Sequence, residues 1–178
     1  MRGGLGRHRS RTGQESACLR ECGGSLEGQQ APTVICLDSD LIDLRYPRDR
    51  RARRNRALLD GAGQSGSGAT TVFSLLEIVG VVAFNLNEQQ LVDFYMHFPR
   101  RYKVRILPYH DPRQRLPGLR LGEVLRVMQK RAGFGDALIA VQVNRLHAAL
   151  EAFVTWNDEH FRGRLAVPVF TPATFSAA

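Results

Sequence analysis

The sequence predicts an α/β fold in which helices cover a central, mainly parallel sheet. The run PTVICLD (32–38) is continuously apolar before its final acid, which is typical of a strand buried on both faces. Segments with helical periodicity then alternate with strand-like segments, as expected when parallel strands are joined by helical crossovers. The further strands are predicted within TTVFSLLEIVG (70–80), YKVRILPY (102–109), AFVTWND (152–158) and LAVPVFTP (165–172).

Helices are predicted between these strands from apolar spacing and from turn residues. An arginine-rich segment followed by ALLD is predicted as the first helix, which the loop GAGQSGSG (61–68) should end. Ser74 and Glu77 have the spacing of a capping box, so Glu77 is expected in the first turn of the second helix. The remaining helices are predicted from Asn87 onward, at 121–131 and at 136–150.

The 178 residues suit one folded domain with an N-terminal extension. Residues 1–32 are rich in Gly, Arg, Ser and Gln, so they are predicted to be a disordered extension of the domain at 33–178. The extension is interpreted as the product of a misassigned start site or as a disordered arm. No secretory signal is recognised and the longest apolar stretch contains Glu77, so a cytoplasmic protein without membrane contact is expected.

The net charge of +8 favours polyanionic partners. Only two of the 25 cationic residues are lysines, which leaves 23 arginines, and guanidinium groups suit bidentate contacts with phosphate. Much of the excess lies in one arginine cluster, RYPRDRRARRNR (45–56), which has seven arginines and one aspartate. The alternative interpretation of this cluster is a solvated helix face.

Acidic residues recur where predicted strands end or where the following helices begin. Asp38 ends the first strand, Glu77 follows the second and Asp136 opens a helix. Asn157 and Asp158 end the AFVTWN strand. Because active sites of open parallel sheets lie at the carboxyl ends of the strands, these side chains are expected to converge. Converging carboxylates repel unless a divalent cation lies among them, and oxygen ligands suit Mg²⁺ or Mn²⁺.

Each acid also has a purely structural interpretation. Glu77 would close the capping box with Ser74, and Asp136 would be favoured by the dipole at a helix N-terminus. Asp158 would be an acid in a surface turn. No single residue separates these interpretations from a metal site.

Four segments together carry a family resemblance. In chain order, VICLDSDLID, TTVFSLLEIVG, FGDALIAVQV and FVTWNDEHF resemble the four motifs of PIN-domain ribonucleases, and most closely those of VapC-type toxins from toxin–antitoxin pairs. The resemblance covers about residues 33–175 and implies a PIN-like three-layer α/β/α fold. It implies an endoribonuclease that depends on Mg²⁺ or Mn²⁺ and cleaves RNA phosphodiester bonds.

Motif by motif, the resemblance implies the metal ligands Asp38, Glu77, Asp136, Asn157 and Asp158, of which the four acids are catalytic. The final motif has Asn157 where the family usually has an aspartate, so either member of the pair Asn157–Asp158 is a candidate to face the metal. Ser39 matches the small hydroxyl residue that follows the first aspartate of the family, and Thr155 matches the threonine of the final motif.

The resemblance also implies protein partners. A small cognate antitoxin is expected to lay its C-terminal segment across the acidic groove, with an Arg or Lys at the metal site. The assembly is expected to be a homodimer or a toxin–antitoxin hetero-oligomer. Residues 88–98 are candidates for the groove or for a homodimer surface, although their apolar stripe also suits core packing.

Two other functions fit part of the sequence. The first motif satisfies the D-x-D pattern of haloacid-dehalogenase-like phosphatases, with Asp38 as nucleophile and Asp40 as general acid/base. That family also expects a threonine and a second late acid at positions where this chain has Ile42 and Ala140. The other candidate is a non-catalytic RNA-binding module that uses the arginine cluster alone. The acids weigh against it, because carboxylates without a metal repel phosphate.

Overall fold

The computed structural model describes residues 34–42 and 51–175. The predicted extension at 1–32 and the first part of the arginine cluster, 45–50, lie outside these ranges. The strands are β1 (Ile35–Leu37), β2 (Gly68–Thr71), β3 (Arg105–Leu107), β4 (Ala152–Val154) and β5 (Val169–Phe170). The helices are α1 (Ala52–Ser65), α2 (Val72–Val82), α3 (Glu88–Tyr102), α4 (Leu121–Met128), α5 (Phe134–Arg145), α6 (Asp158–Phe161) and α7 (Pro172–Phe175).

The five strands form one sheet in the order β3-β2-β1-β4-β5, and every pair is parallel. The sequence predicted a mainly parallel sheet, and the described strands form one that is entirely parallel. The central strands β1 and β4 are buried throughout, whereas the edge strand β3 exposes Arg105. Burial on both faces explains why the residues of β1 read as a continuous apolar run.

Helices pack against each other on the sheet in two groups. The helix α2 packs against α3 and α5, α5 packs against α4, and α1 packs against α7. The core between helices and sheet includes the fully buried rings of Phe98, Phe153 and Phe161. This is the three-layer α/β/α arrangement that the sequence predicted. Within the described ranges, no helix is long and apolar enough to cross a membrane.

The helix α1 extends into the segment predicted as a loop at 61–68. It continues to Ser65 because Leu58 and Ala62, four residues apart, bury one face of this turn. The chain leaves the helix at Gly66, whose φ of 66° lies in the left-handed region that glycine adopts without strain. The prediction was therefore wrong for 61–65, where burial outweighs the low helix propensity of glycine.

The predicted capping box of α2 was also wrong. The N-cap is Thr71, whose Oγ1 accepts a hydrogen bond from the Ser74 N–H at 3.0 Å. Ser74 therefore lies inside the first turn, and Glu77 is the sixth residue of the helix. In contrast, α3 begins as predicted, because Asn87 and Gln90 form a capping box with bonds of 2.9 and 3.0 Å.

Two boundaries near the predicted acids differ by a few residues. Helix α5 begins at Phe134, so Asp136 is its third residue and does not open it. Strand β4 ends at Val154, before the predicted end at Asn157 and Asp158. Asn157 instead precedes α6, and Asp158 is the first residue of that helix.

The course of α1 predicts opposite effects for two glycine substitutions. Gly61→Ala should raise the free energy of unfolding by about 1 kcal/mol, because alanine is the better helix former. A Cβ at this position meets no atom within 4 Å. Gly66→Ala should lower the same quantity by about 1 kcal/mol, because an L-residue is strained at positive φ. Urea denaturation of the two variants measures both effects, and a Gly61→Ala variant that is not stabilised would contradict a helix through 61–65.

Candidate metal centre

The candidate site lies at the carboxyl edge of the sheet, where β1 and β4 end side by side. Asp38 follows β1 directly and is only 4% exposed. Its Oδ1 accepts a hydrogen bond from the Ser39 N–H at 2.7 Å. Its Oδ2 accepts one from Oγ1 of the fully buried Thr155, which follows β4, at 2.8 Å. Both oxygens of the buried carboxyl group are therefore held in place.

Asp40 lies beside Asp38 because residues 39–42 form a short 3-10 helix. Its Oδ2 accepts the Trp156 N–H at 2.8 Å and lies 3.1 Å from Thr155 Oγ1. One hydroxyl has one proton, so Thr155 cannot donate to Asp38 and Asp40 together. Within the described residues, the Oδ1 of Asp40 is buried and has no hydrogen-bond partner. The two carboxyl groups therefore offer more acceptor oxygens than their surroundings satisfy, which favours a proton or a cation here.

A set of polar and aromatic contacts joins this pair to α1. The Trp156 Nε1–H donates to Asn55 Oδ1 at 2.7 Å, and the Asn55 amide lies 3.5 Å from the carbonyl oxygen of Asp40. The guanidinium of Arg51 lies 5.0 Å from the centre of the Trp156 ring. The described end of the arginine cluster thus borders the site.

Glu77 is joined to Asp38 through one residue, Ser39. The hydroxyl of Ser39 donates to Glu77 Oε2 at 2.8 Å, while its N–H holds Asp38. The Oε1 of Glu77 faces Gly135, where an added Cβ would lie 2.2 Å away. A side chain at Gly135 would therefore displace Glu77. The next residue, Asp136, completes this part of the site, since its Oδ2 lies 2.9 Å from His160 Nδ1.

Burial and mutual repulsion make these acids hard to ionise. Burial, with the neighbouring charge of Asp40, raises the pKa of Asp38 to about 8. Burial also raises the pKa of Asp40, in spite of the hydrogen bonds from Trp156 and Thr155. Desolvation raises the pKa of Glu77, and the charge of Asp136 adds to the effect. A bound cation would act in the opposite direction and favour the ionised forms.

The two residues predicted from the final motif, Asn157 and Asp158, have contacts of their own. Asp158 forms an ion pair with Arg162 Nε at 2.7 Å. The side chain of Asn157 is exposed, and its backbone N–H donates to Thr155 Oγ1 at 3.0 Å. In the described part of the chain, no hydrogen bond or ion pair joins either side chain to the other three predicted ligands. The structure therefore links Asp38 to Glu77 through Ser39 and places Asp136 where its charge acts on Glu77, whereas the side chains of the final pair have other surroundings.

The donor set has the chemistry of a magnesium or manganese site. All the donors are carboxylate oxygens, and among the residues that the structure describes the buried Oδ1 of Asp40 finds no partner. As the side chains stand, however, no three His, Cys, Asp or Glu residues within 34–42 and 51–175 are grouped closely enough to hold a metal ion. The charge of Asp40 acts mainly on Asp38, and the charge of Asp136 acts on Glu77. The donor chemistry thus fits a hard divalent cation, while the ligand set is not closed around one point.

Three residues of the site were not assigned to it from the sequence. Asp40 was considered only for the phosphatase alternative, although its position two residues after Asp38 was a usable signal. Gly135 directly precedes Asp136, and His160 lies in the FVTWNDEHF segment, but neither had a pattern that marked it. Their roles depend on the approach of α5 to α2 and α6, which only the structure shows.

Comparisons with known proteins give fold similarity only. No protein-family model and no curated protein matches the sequence. The solved structure of VapBC2 from Rickettsia felis, bound to a DNA fragment from their promoter, is similar with a TM-score of 0.50 and 15% identity. The match covers 78% of this chain and 98% of that chain. The structure of FitAcB from Neisseria gonorrhoeae has a TM-score of 0.48 and 18% identity to this chain. The match covers 79% of this chain and 99% of that chain.

Proposed function

We propose that the protein is a Mg²⁺- or Mn²⁺-dependent endoribonuclease that acts in the cytoplasm as the toxic component of a toxin–antitoxin pair. The observation that carries the proposal is the arrangement of Asp38, Glu77 and Asp136 at one edge of the sheet. Two of them are linked through Ser39, and Thr155 holds the most buried one. These are the positions at which the four motifs resemble PIN-domain ribonucleases.

The side chains around the acids would keep them ready for a cation. Asp38, Glu77 and Asp136 would be the main ligands, since Ser39 contacts the first two and the charge of Asp136 acts on Glu77. Gly135 leaves room for the Glu77 carboxylate, and His160 orients Asp136. When bound, Mg²⁺ or Mn²⁺ would activate water for attack on the phosphodiester and offset the developing negative charge.

The fourth position of the ligand set is proposed for the pair Asn157–Asp158. Its backbone is tied to the site through Thr155, whose hydroxyl accepts the Asn157 N–H. Either side chain would have to turn towards the other acids, and Asp158 would have to leave Arg162. We therefore expect substitutions of this pair to impair cleavage less than substitutions of Asp38 or Asp136.

The phosphatase alternative is less compatible with the site. A nucleophilic aspartate has to be ionised and has to reach the substrate phosphorus. Asp38 is 4% exposed, both its oxygens accept hydrogen bonds and its pKa is raised to about 8. These properties fit a carboxylate that binds a cation better than they fit a carboxylate that attacks the substrate. If the protein were an RNA-binding module without activity, the acids at the edge of the sheet would have no role.

A protein partner is proposed on two grounds. The solved structure whose fold this chain shares, VapBC2, is a complex bound to promoter DNA, which is consistent with a cognate antitoxin for this chain. The helix α3 also exposes Val92 and Met96, which lie four residues apart on one face and are 50% and 45% exposed. This exposed pair is not the apolar stripe from which a surface at 88–98 was predicted, because Phe94, Tyr95 and Phe98 of that stripe pack in the core.

Removing one acid of the site should abolish cleavage without unfolding the protein. Asp38→Asn and Asp136→Asn should each lower the rate of RNA cleavage in Mn²⁺ by about 100-fold or more, because each removes a charged ligand. Cleavage of a labelled single-stranded RNA, followed on a denaturing gel, measures the rate. The matched control is Asp60→Asn on the exposed surface of α1.

The control variant should cleave at the wild-type rate, and circular dichroism should show that all three variants keep the fold. Chelation with EDTA should stop cleavage by the wild type, and Mn²⁺ should restore it. An Asp38→Asn variant with wild-type activity would exclude the proposed role of this residue. Cleavage that persists in EDTA would exclude the dependence on a metal.

The toxin assignment predicts that expression is harmful and that a small partner relieves the harm. Induced expression should stop growth of a bacterial host, whereas the Asp38→Asn variant should not, because the harm comes from RNA cleavage. Co-expression with the small gene next to this one should restore growth of cells that express the wild type. Growth arrest by both forms, or no relief by the neighbouring gene, would count against a toxin–antitoxin pair.

A further inference from the structure

A basic cavity of about 550 Å³ lies between α4 and α5, outside the acidic site. Four cationic side chains and one acid line the cavity, together with the apolar residues Val127 and Val141. The charged residues are Arg126, Lys130, Arg145, Arg164 and Glu123. We name this cavity the α4–α5 pocket.

Among the ion pairs of residues 34–42 and 51–175, one involves a cation of the pocket. Arg145 Nη2 forms an ion pair with Glu123 Oε2 at 2.6 Å. This contact lowers the pKa of Glu123, which therefore remains ionised at neutral pH. In the described part of the chain, no carboxylate forms an ion pair with Arg126, Lys130 or Arg164.

The contacts of Arg164 fix its position without removing its charge. Its guanidinium donates to the carbonyl oxygen of Glu159 at 2.8 Å and to that of Lys130. Arg126 similarly donates to the carbonyl oxygen of Gly122 at 3.2 Å. Carbonyl groups are neutral, so the pocket keeps an excess of three positive charges.

A short series of contacts connects Arg164 of the pocket to Asp136 of the acidic site. Arg164 binds the carbonyl of Glu159, and the next residue, His160, contacts Asp136. A chain of phosphates that passes the acids would therefore reach the pocket within a short distance.

We propose that the α4–α5 pocket binds phosphate groups of single-stranded RNA that flank the cleaved phosphodiester, an inference that rests on the proposed nuclease function. Carboxylates repel the RNA backbone, and a bound cation offsets this repulsion only at the scissile phosphate. Affinity for the neighbouring phosphates has to come from elsewhere. A positively charged groove beside the site is the usual means of holding a single strand.

The test removes two of the unpaired charges and measures RNA binding apart from cleavage. The variant Arg126→Gln/Lys130→Gln should bind a labelled 12-nucleotide RNA, in EDTA and at about 0.1 M salt, at least about fivefold more weakly than the wild type. The slope of log K against log salt should fall by about 1.4, because each lost phosphate contact on a single strand contributes about 0.7. Fluorescence anisotropy at several salt concentrations gives both values.

The matched control is Arg100→Gln/Arg113→Gln, which removes two exposed charges that do not line the pocket. It should bind RNA as the wild type does, and circular dichroism should show that both double variants keep the fold. Equal effects of the two double variants, or no RNA binding by the wild type, would overturn the pocket as a subsite.

Cleavage kinetics in Mn²⁺ separate this inference from the proposed function. The pocket variant should raise KM and leave kcat nearly unchanged, because it touches none of the acids. A wild type that cleaves RNA beside a pocket variant with unchanged KM would disprove the subsite and leave the nuclease standing. RNA binding that depends on the pocket without any cleavage in Mn²⁺ would support the subsite and disprove the nuclease.

Discussion

The structure of the site depends on the hydrogen bonds of one buried hydroxyl group, that of Thr155. It joins the end of β4 to the end of β1 by contacting Asp38 and Asp40, and it also accepts the Asn157 N–H. A single proton shared between two buried carboxyl groups leaves the pair short of positive charge. Burial, with the neighbouring charge of Asp40, raises the pKa of Asp38, and the unmet demand for positive charge is the physical reason to expect a cation at the end of this strand.

The features of the fold that were predicted correctly follow from local patterns in the sequence. The apolar run of β1, the capping residues of α3 and the alternation of strands and helices each express a local rule, and each was confirmed. The prediction failed for 61–65 because the packing of Leu58 and Ala62 against the core overrides two glycines. It failed for Glu77 because Thr71, and not Ser74, caps α2.

The prediction of the candidate site depended on how well the ends of the strands could be predicted. Asp38, Glu77 and Asp136 were predicted from their places at strand ends and helix starts, because parallel strands bring their carboxyl ends to one edge, and the full ligand set was implied by the motif resemblance. The contacts of Gly135 with Glu77 and of His160 with Asp136 cross from one helix to another, so no spacing in the chain encodes them. The cations of the α4–α5 pocket are likewise spread from Arg126 to Arg164 in the sequence and meet at one cavity only in the fold.

Calorimetric titration with Mn²⁺ tests the central claim, that these carboxyl groups bind a divalent cation, most directly. Because the pKa of Asp38 is about 8 in the metal-free protein, binding at pH 7 should release about one proton, and less at pH 9. Titration in two buffers with different ionisation enthalpies counts the protons. Asp38→Asn should weaken binding and abolish the release, whereas Asp60→Asn should change neither. Absence of Mn²⁺ binding to the wild type, or equal binding by Asp38→Asn, would contradict a metal centre built on these acids.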